Sequence, residues 1–228
     1  VYGYPMSTHA FQSPYYSWGV YLDDFTCGTT VEGNIIARVG RSGVMVHGGS
    51  DNLVRWNVVV GAPMAGLENA PIREHPVTGN VFEQNVLVHD IEGALVYRST
   101  KWVGGVDFRR NLAWTHGRPA MVSLGPGGGQ FEDWEAWMAE GLDEGSIIAP
   151  PQFADPEADD YRLQAESSAW DLGFERIPVD EIGCYESDER ASWPVEMTEG
   201  VVREGPVLHH QPVRPVREDF ELDRVGAR

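Results

Sequence analysis

The chain has 228 residues, a formal net charge of −18, 26 glycines and 15 prolines. That length is enough for one domain with a sizeable core, and the glycine and proline content suits many turns rather than long helices. The acidic balance repels nucleic acid and anionic membranes, and no apolar run reaches the roughly 18 residues a membrane-spanning helix needs.

In chain order, residues 1–18 come first and are rich in aromatics and turn formers: Tyr2, Tyr4, Phe11, Tyr15, Tyr16 and Trp18. They suit a cover over the open end of a core, or a wall that sugars stack on. They do not read as a signal peptide, lacking a basic start and an apolar centre. The pattern is under way by residue 19, as expected of the C-terminal part of a longer protein. From Gly19, Val20 and Leu22 alternate with Tyr21 and Asp23, the period-two signature of a strand. A Cys27-Gly28 turn leads to a second run over 29–36, and a Gly40-to-Gly43 corner to a third, in which Val44 and Val46 face in while Met45 and His47 face out. Residues 52–60 follow.

The third repeat carries an excursion over residues 64–76, and Pro71 and Pro76 argue for a loop there. Strand character returns at 80–88, at 93–97, at 105–114 and at 120–124. Residues 125–129 then form a glycine loop. Residues 131–141 read as a short helix, with Phe131, Trp134, Trp137 and Met138 on one apolar face. The expected organisation is a coil region over 1–149 including that capping helix, an irregular segment over 150–195 packed on it, and a polar tail over 196–228.

One motif recurs four times. An apolar residue, two mixed positions, an asparagine and two apolar residues appear around Asn34, Asn57, Asn85 and Asn111, spaced by 23, 28 and 26 residues. A near-fixed period in that range, carrying short strands, predicts an all-β parallel solenoid in which each repeat is one coil. Stacked coils lie about 4.8 Å apart, so one asparagine per coil can bond the next and form a ladder. These asparagines are therefore read as scaffold, placed at a bend whose left-handed backbone asparagine tolerates.

The candidate chemistry lies elsewhere. Aligning Gly19 with Gly43 sets Asp23 beside His47 on neighbouring coils. Aligning on the asparagines sets Asp24 there instead, so both acids stay open. An acid pair beside an imidazole suits glycosidic cleavage, which needs two carboxyl groups, with His47 orienting a carboxylate, donating to a hydroxyl or acting as base. In the same outward column Gly93 aligned with Gly43 brings Tyr97, and Glu68 fills the rung between. Tyr21, Tyr97 and Trp102 are candidate sugar-stacking surfaces, and Glu68 completes the candidate substrate-binding set. Cys27 and Cys184 lack any metal spacing and read as two buried thiols, with one disulfide as the alternative. Neither a phosphate loop nor a Gly-x-Ser-x-Gly elbow is present, and His209-His210 does not make a metal site.

The stretches Trp18-Gly-Val-Tyr-Leu-Asp-Asp24, Val31-Glu-Gly-Asn34, Val46-His-Gly-Gly49 and Asp51-Asn52 resemble right-handed parallel β-helix proteins of the pectin-lyase-like superfamily. So does the later Tyr161-Arg-Leu … Ser168-Ala169 … Gly173-Phe174 … Ile182-Gly183 … Arg190-Ala-Ser-Trp-Pro194 run. The nearest named likeness is to bacterial β-helix glycoside hydrolases such as family 141, whose members act on fucosides or xylan. It spans about residues 15–195. The resemblance implies a secreted or periplasmic protein acting on a plant or algal polysaccharide, with two acidic residues on the helix face as the catalytic pair. That carries over to Asp23 or Asp24, the partner acid lying here or in a preceding part of the protein. The alternatives are a polysaccharide lyase and a non-catalytic glycan-binding or structural solenoid. No cofactor is expected, calcium being the one metal left open. No nucleic acid or membrane partner is expected, and the chain is read as a monomer.

Overall fold

The computed structural model describes residues 17–72, 77–90, 95–99, 106–124, 130–139 and 143–182. Twelve strands fall into four successive triplets: β1 (Val20–Leu22), β2 (Thr30–Glu32), β3 (Ile35–Ala37); β4 (Ser42–His47), β5 (Leu53–Arg55), β6 (Val58–Val60); β7 (Ala65–Ala70), β8 (Asn80–Glu83), β9 (Val86–Val88); and β10 (Leu95–Ser99), β11 (Val106–Arg109), β12 (Leu112–Trp114). The first members of the triplets pair in the order β1-β4-β7-β10, the second as β2-β5-β8-β11 and the third as β3-β6-β9-β12. All of these pairings are parallel. The chain is an all-β parallel solenoid of three sheets.

The asparagine repeat is the hinge between the second and third strands of each coil. The residue just before each asparagine carries the left-handed backbone: Gly33 at φ 66°, Trp56 at 55°, Gln84 at 56° and Arg110 at 52°. That differs from the sequence reading, which gave the left-handed role to asparagine itself. Three of the four are not glycine, and each such residue costs about 1–2 kcal/mol in this conformation. The asparagine hydrogen bonds are what hold it. Asn34 Nδ2 donates to Asn57 Oδ1 at 2.9 Å, Asn57 Nδ2 to Asn85 Oδ1 at 3.0 Å, and Asn85 Nδ2 to Asn111 Oδ1 at 3.0 Å. Each acceptor oxygen also takes the backbone N–H of the preceding asparagine.

The repeat period conceals a second, shorter ladder. Asn52 Nδ2 donates to Asn80 Oδ1 at 3.0 Å, and Asn52 Oδ1 accepts from the Thr29 N–H. Here too a left-handed residue comes first: Gly28, Asp51 and Gly79.

Inside the solenoid lie Val31, Ile36, Val44, Val46, Val54, Val59 and Leu67, followed by the bulkier Phe82, Leu87 and Phe108. Strand β13 (Met121–Leu124) continues the first sheet, and β14 (Gln130–Asp133) then folds back on it antiparallel. The helix α1 runs only Trp134–Ala139, because Phe131 belongs to β14. Trp134 and Trp137 are almost wholly buried and close this end of the core. The ladder also ends here: Asn111 N donates to Ser146 Oγ at 2.7 Å, and Ser146 in turn bonds Asp143, which also accepts from Trp134 Nε1 at 2.6 Å. Burial pushes the Asp143 carboxyl above its ordinary value, opposed by those hydrogen bonds.

Strand β15 (Ile147–Ile148) adds to the third sheet, and the hairpin β16 (Phe153–Asp155) and β17 (Asp160–Leu163) follows. Tyr161, Leu163, Ala169 and Phe174 pack on Ala37, Val58, Val86, Val88 and Leu112, so a second apolar layer covers the outside of the third sheet.

Two expectations about the middle of the chain are corrected. Residues 65–70, expected as a loop, form β7, a buried central strand of the first sheet that ends at Ala70 just before Pro71. The proline removes a donor only after the ladder has been made. Cys27, expected to be buried, is an exposed free thiol. Cys184 lies outside the described residues.

Candidate functional site

Glycine fixes the register that builds the site. A β-carbon on Gly19 would lie 2.6 Å from the Gly43 carbonyl oxygen, and one on Gly43 would lie 2.6 Å from that of Gly66. Three glycines therefore stack where the coils approach closest. Strand β1 meets β4 with Val20 on Val44, Tyr21 on Met45 and Leu22 on Val46. Continuing that register brings Asp23 opposite His47.

The turn after β1 completes the group. The Thr26 N–H donates to the Asp23 carbonyl, and Phe25 between them is held at φ 62°. A bulky side chain is costly there. The next coil pins it: Asn52 Nδ2 donates to the Thr26 carbonyl at 2.7 Å, and Gly28 N to that of Ser50 at 3.0 Å. Room for this contact comes from Gly49, where a β-carbon would fall 2.1 Å from the Thr26 oxygen. Gly49, two residues after His47, lets the acidic turn fold down onto the next coil.

The result answers the one-residue ambiguity of the sequence. Both acids reach His47, with Asp23 Oδ1 and Asp24 Oδ1 each 3.2 Å from Nδ1. Tyr21 Oη is closer still, at 2.8 Å. Since the ionised Asp23 carboxylate only accepts, the consistent tautomer carries its proton on Nδ1 and its lone pair on Nε2. The phenol accepts from Nδ1 and gives its own proton to Asp23.

Electrostatics agree. Asp23 is held below the ordinary carboxylate range, first by the Asp24 backbone N–H and then by His47 and Tyr21. Partial burial, with help from Asp23, raises Tyr21 to about 12, so it stays a proton donor at neutral pH. The side chains remain reachable from solvent: Asp23 is 65% exposed, Asp24 62% and His47 32%. An aromatic row flanks them, with Trp18 stacked on Tyr21 at 4.7 Å and Tyr21 on His47 at 5.7 Å.

The remaining candidates part company. Glu68 lies on the outward side, in the column of Tyr21 and Met45, but it is buried rather than presented. It accepts from Ser42 Oγ at 2.7 Å, Trp18 Nε1 at 3.0 Å and Arg98 Nη1 at 2.6 Å, with Arg41 at 3.4 Å. Those partners, Arg41 foremost, outweigh desolvation and keep its carboxyl below the ordinary range. It therefore anchors Trp18, the far end of the aromatic row. The outer face of the first sheet is buried along β7 and β10.

Tyr97 needs correction. It pairs with Leu67, which pairs with Val44, so it sits in an inward column. Its ring packs on Phe108 at 4.3 Å and on Trp137 at 5.7 Å, with no exposure. Gly66 fills the place next to Gly43, and Val96 comes next; Gly93 lies outside the described residues. Trp102 lies outside the described residues.

Asp23, Asp24 and His47 each offer one ligand atom within 4.8 Å of the others. Calcium wants about six to eight oxygens, so two carboxylates and an imidazole fit it poorly. No helix among the described residues is long and apolar enough to cross a membrane.

No family model matches the chain, and neither a curated protein nor a solved structure matches it significantly. What the fold and its repeats define is a parallel β-solenoid, laddered at two corners and plugged at one end.

Proposed function

We propose that this chain is a carbohydrate-active solenoid, a glycoside hydrolase acting on plant or algal polysaccharide at the Asp23–Asp24–His47 group. The observation that supports it best is two solvent-facing carboxylates converging on one imidazole beside an aromatic row. Retaining hydrolases place their carboxyl groups about 5–5.5 Å apart and inverting ones about 6.5–9.5 Å. Ligand oxygens of Asp23 and Asp24 within 4.8 Å suit the closer geometry.

In this reading Asp23, kept ionised, attacks the anomeric carbon. Asp24 gives its proton to the departing glycosidic oxygen, then takes one from water as that water cleaves the glycosyl ester. His47 and Tyr21 hold Asp23 in place, and Tyr21 with Trp18 offers the sugar a flat wall. The likeness to exported β-helix hydrolases adds secretion or the periplasm to the proposal.

A polysaccharide lyase is the second reading. One feature favours it: with Nδ1 turned to Tyr21 and the acids, His47 Nε2 is a base able to abstract a proton. The acidic surroundings count against a uronate substrate.

The test is a product screen over a polysaccharide panel, with calcium and with chelator. New reducing ends without unsaturated products support the hydrolase. Unsaturated products support the lyase, and no product from any glycan leaves a binding or structural solenoid.

A further inference from the structure

A second site lies on another sheet. Where the segment over 160–182 crosses the outside of the third sheet, it leaves a cavity of about 250 Å³. Its floor is apolar, with Val58 from β6 and Leu163 and Phe174 from the covering layer, all buried. Trp170 forms a wall, and its Nε1–H is spent on the Gln164 carbonyl at 2.7 Å, so what it offers a ligand is ring surface.

The rim is polar and carries both signs of charge. Arg162 is committed to Asp160. Arg176 stands over the Trp170 ring at 5.6 Å and makes no ion pair among the described residues. Asp180 and Glu181, also on the rim, are exposed; Asp180 lies in the field of Arg162 without a direct ion pair, and Glu181 makes no ion pair among the described residues. Such a ring of groups discriminates by chemistry. A simple anion would meet Asp180 and Glu181, and a simple cation would meet Arg176. A neutral polyol satisfies all three, since each hydroxyl both donates and accepts. An apolar floor beside an indole suits the C–H face of a pyranose, and the volume falls below the roughly 300–1,000 Å³ of sites for larger ligands.

We infer that this cavity is an ancillary carbohydrate site for a single neutral sugar ring, held between the Trp170 wall and the Arg176, Asp180 and Glu181 rim. It does not depend on Asp23, Asp24 or His47. On a solenoid that cleaves glycans it would keep a chain end attached to the protein during cleavage elsewhere. On a non-catalytic solenoid it would be a binding site in its own right.

The experiment follows the Trp170 indole N–H signal by nuclear magnetic resonance during titration with methyl glycosides of glucose, xylose and fucose. Leucine and benzoate serve as the zwitterionic and anionic probes. A saturable shift in the millimolar range with at least one glycoside is expected, and none with leucine or benzoate. Arg176→Gln and Asp180→Asn, both on the exposed rim, should each weaken glycoside binding about tenfold, the worth of one hydrogen bond to a charged group. Asp23→Asn should leave this response unchanged even if it abolishes cleavage, which separates failure of this site from failure of the hydrolase reading. Absence of a saturable shift with all three glycosides overturns the inference, as does tighter binding of leucine or benzoate, or a response that both rim variants leave intact.

Discussion

The asparagine ladder and the Asp23–His47 group are built the same way, from polar side chains stacked on successive coils, yet they have opposite fates. Asn57, Asn85 and Asn111 are at most 1% exposed, and their donors and acceptors are taken up by neighbouring coils. Asp23, Asp24 and His47 are exposed or half-exposed and share one imidazole nitrogen among three oxygens. The difference is location. The ladder sits at a corner where the chain turns inward, so every lone pair must be met by protein. The acidic group sits on a turn at the end of β1, where water supplies the missing partners. A stacked column is scaffold when its members satisfy one another, and is free for chemistry when they do not.

The comparison breaks hardest at the ladder. Asn85→Ala removes the acceptor for Asn57 and the donor to Asn111, and strands buried polar atoms on both neighbours. Buried unpaired groups cost about 1–3 kcal/mol each, so a loss of about 3–5 kcal/mol in unfolding free energy is expected by urea denaturation. A loss below about 1 kcal/mol would mean the ladder is ornament.

Glu68 tests the boundary between the two kinds of column. It shares an outward column with Tyr21 but is as buried as an asparagine of the ladder. Glu68→Ala leaves Arg41 and Arg98 without their carboxylate, an injury of about 3–5 kcal/mol for a fully buried pair. Both arginines keep some exposure, so about 2–3 kcal/mol is the expectation. Loss of the Trp18 anchor should also shift that indole's fluorescence. A surface role would leave stability and fluorescence unchanged.

How far the sequence carried each part follows from these columns. The solenoid was legible because the asparagine motif repeats at nearly constant spacing, and a period survives even when strand lengths do not. The second ladder was there to be read: left-handed residues precede Thr29, Asn52 and Asn80, but Thr29 breaks the asparagine identity and the pattern needs the coil boundaries first. The pairing of Asp23 with His47 was legible through Gly19 and Gly43, because that glycine column marks a steric contact, whereas Asp24 came from the alternative asparagine alignment and both acids meet the imidazole only through the turn after β1. The same logic failed two coils later. Gly93 looked like a member of the column, but Val96 follows Gly66 in the register, and Tyr97, assigned to the outer face, belongs to the core. Nor does a period of two say what covers an outward face, so the burial of Glu68 had no signal. The left-handed Phe25 likewise had none, since its conformation is imposed by the coil beneath it.

A third test uses acid. His89 is fully buried, and desolvation drops it to about 4 from 6.5, against a smaller opposing pull from the Ala62 backbone and Asp90. A base depressed in the folded state contributes fully above pH 6.5, where both states are neutral, and loses that contribution as pH falls toward 4. The loss approaches about 3 kcal/mol at the lower limit. His89→Gln should flatten the stability profile between pH 6.5 and 4, measured by thermal denaturation.

The smallest effect on folding belongs to the residue with the largest expected effect on chemistry. Asp23→Asn keeps the size and the hydrogen-bonding reach of the side chain, and its site is mostly solvent, so its midpoint of urea denaturation should stay that of the parent. Asparagine cannot attack an anomeric carbon, and release of sugar from a responsive polysaccharide should fall by at least about a thousandfold. Asp24→Asn should do the same through loss of the transferable proton, and its defect should be milder on substrates whose leaving group needs no protonation. That asymmetry separates nucleophile from acid, because Asp23→Asn disables both kinds of substrate alike. If both variants cleave at the parental rate, the acidic column is scaffold too. The distinction between the two columns would then be one of exposure alone.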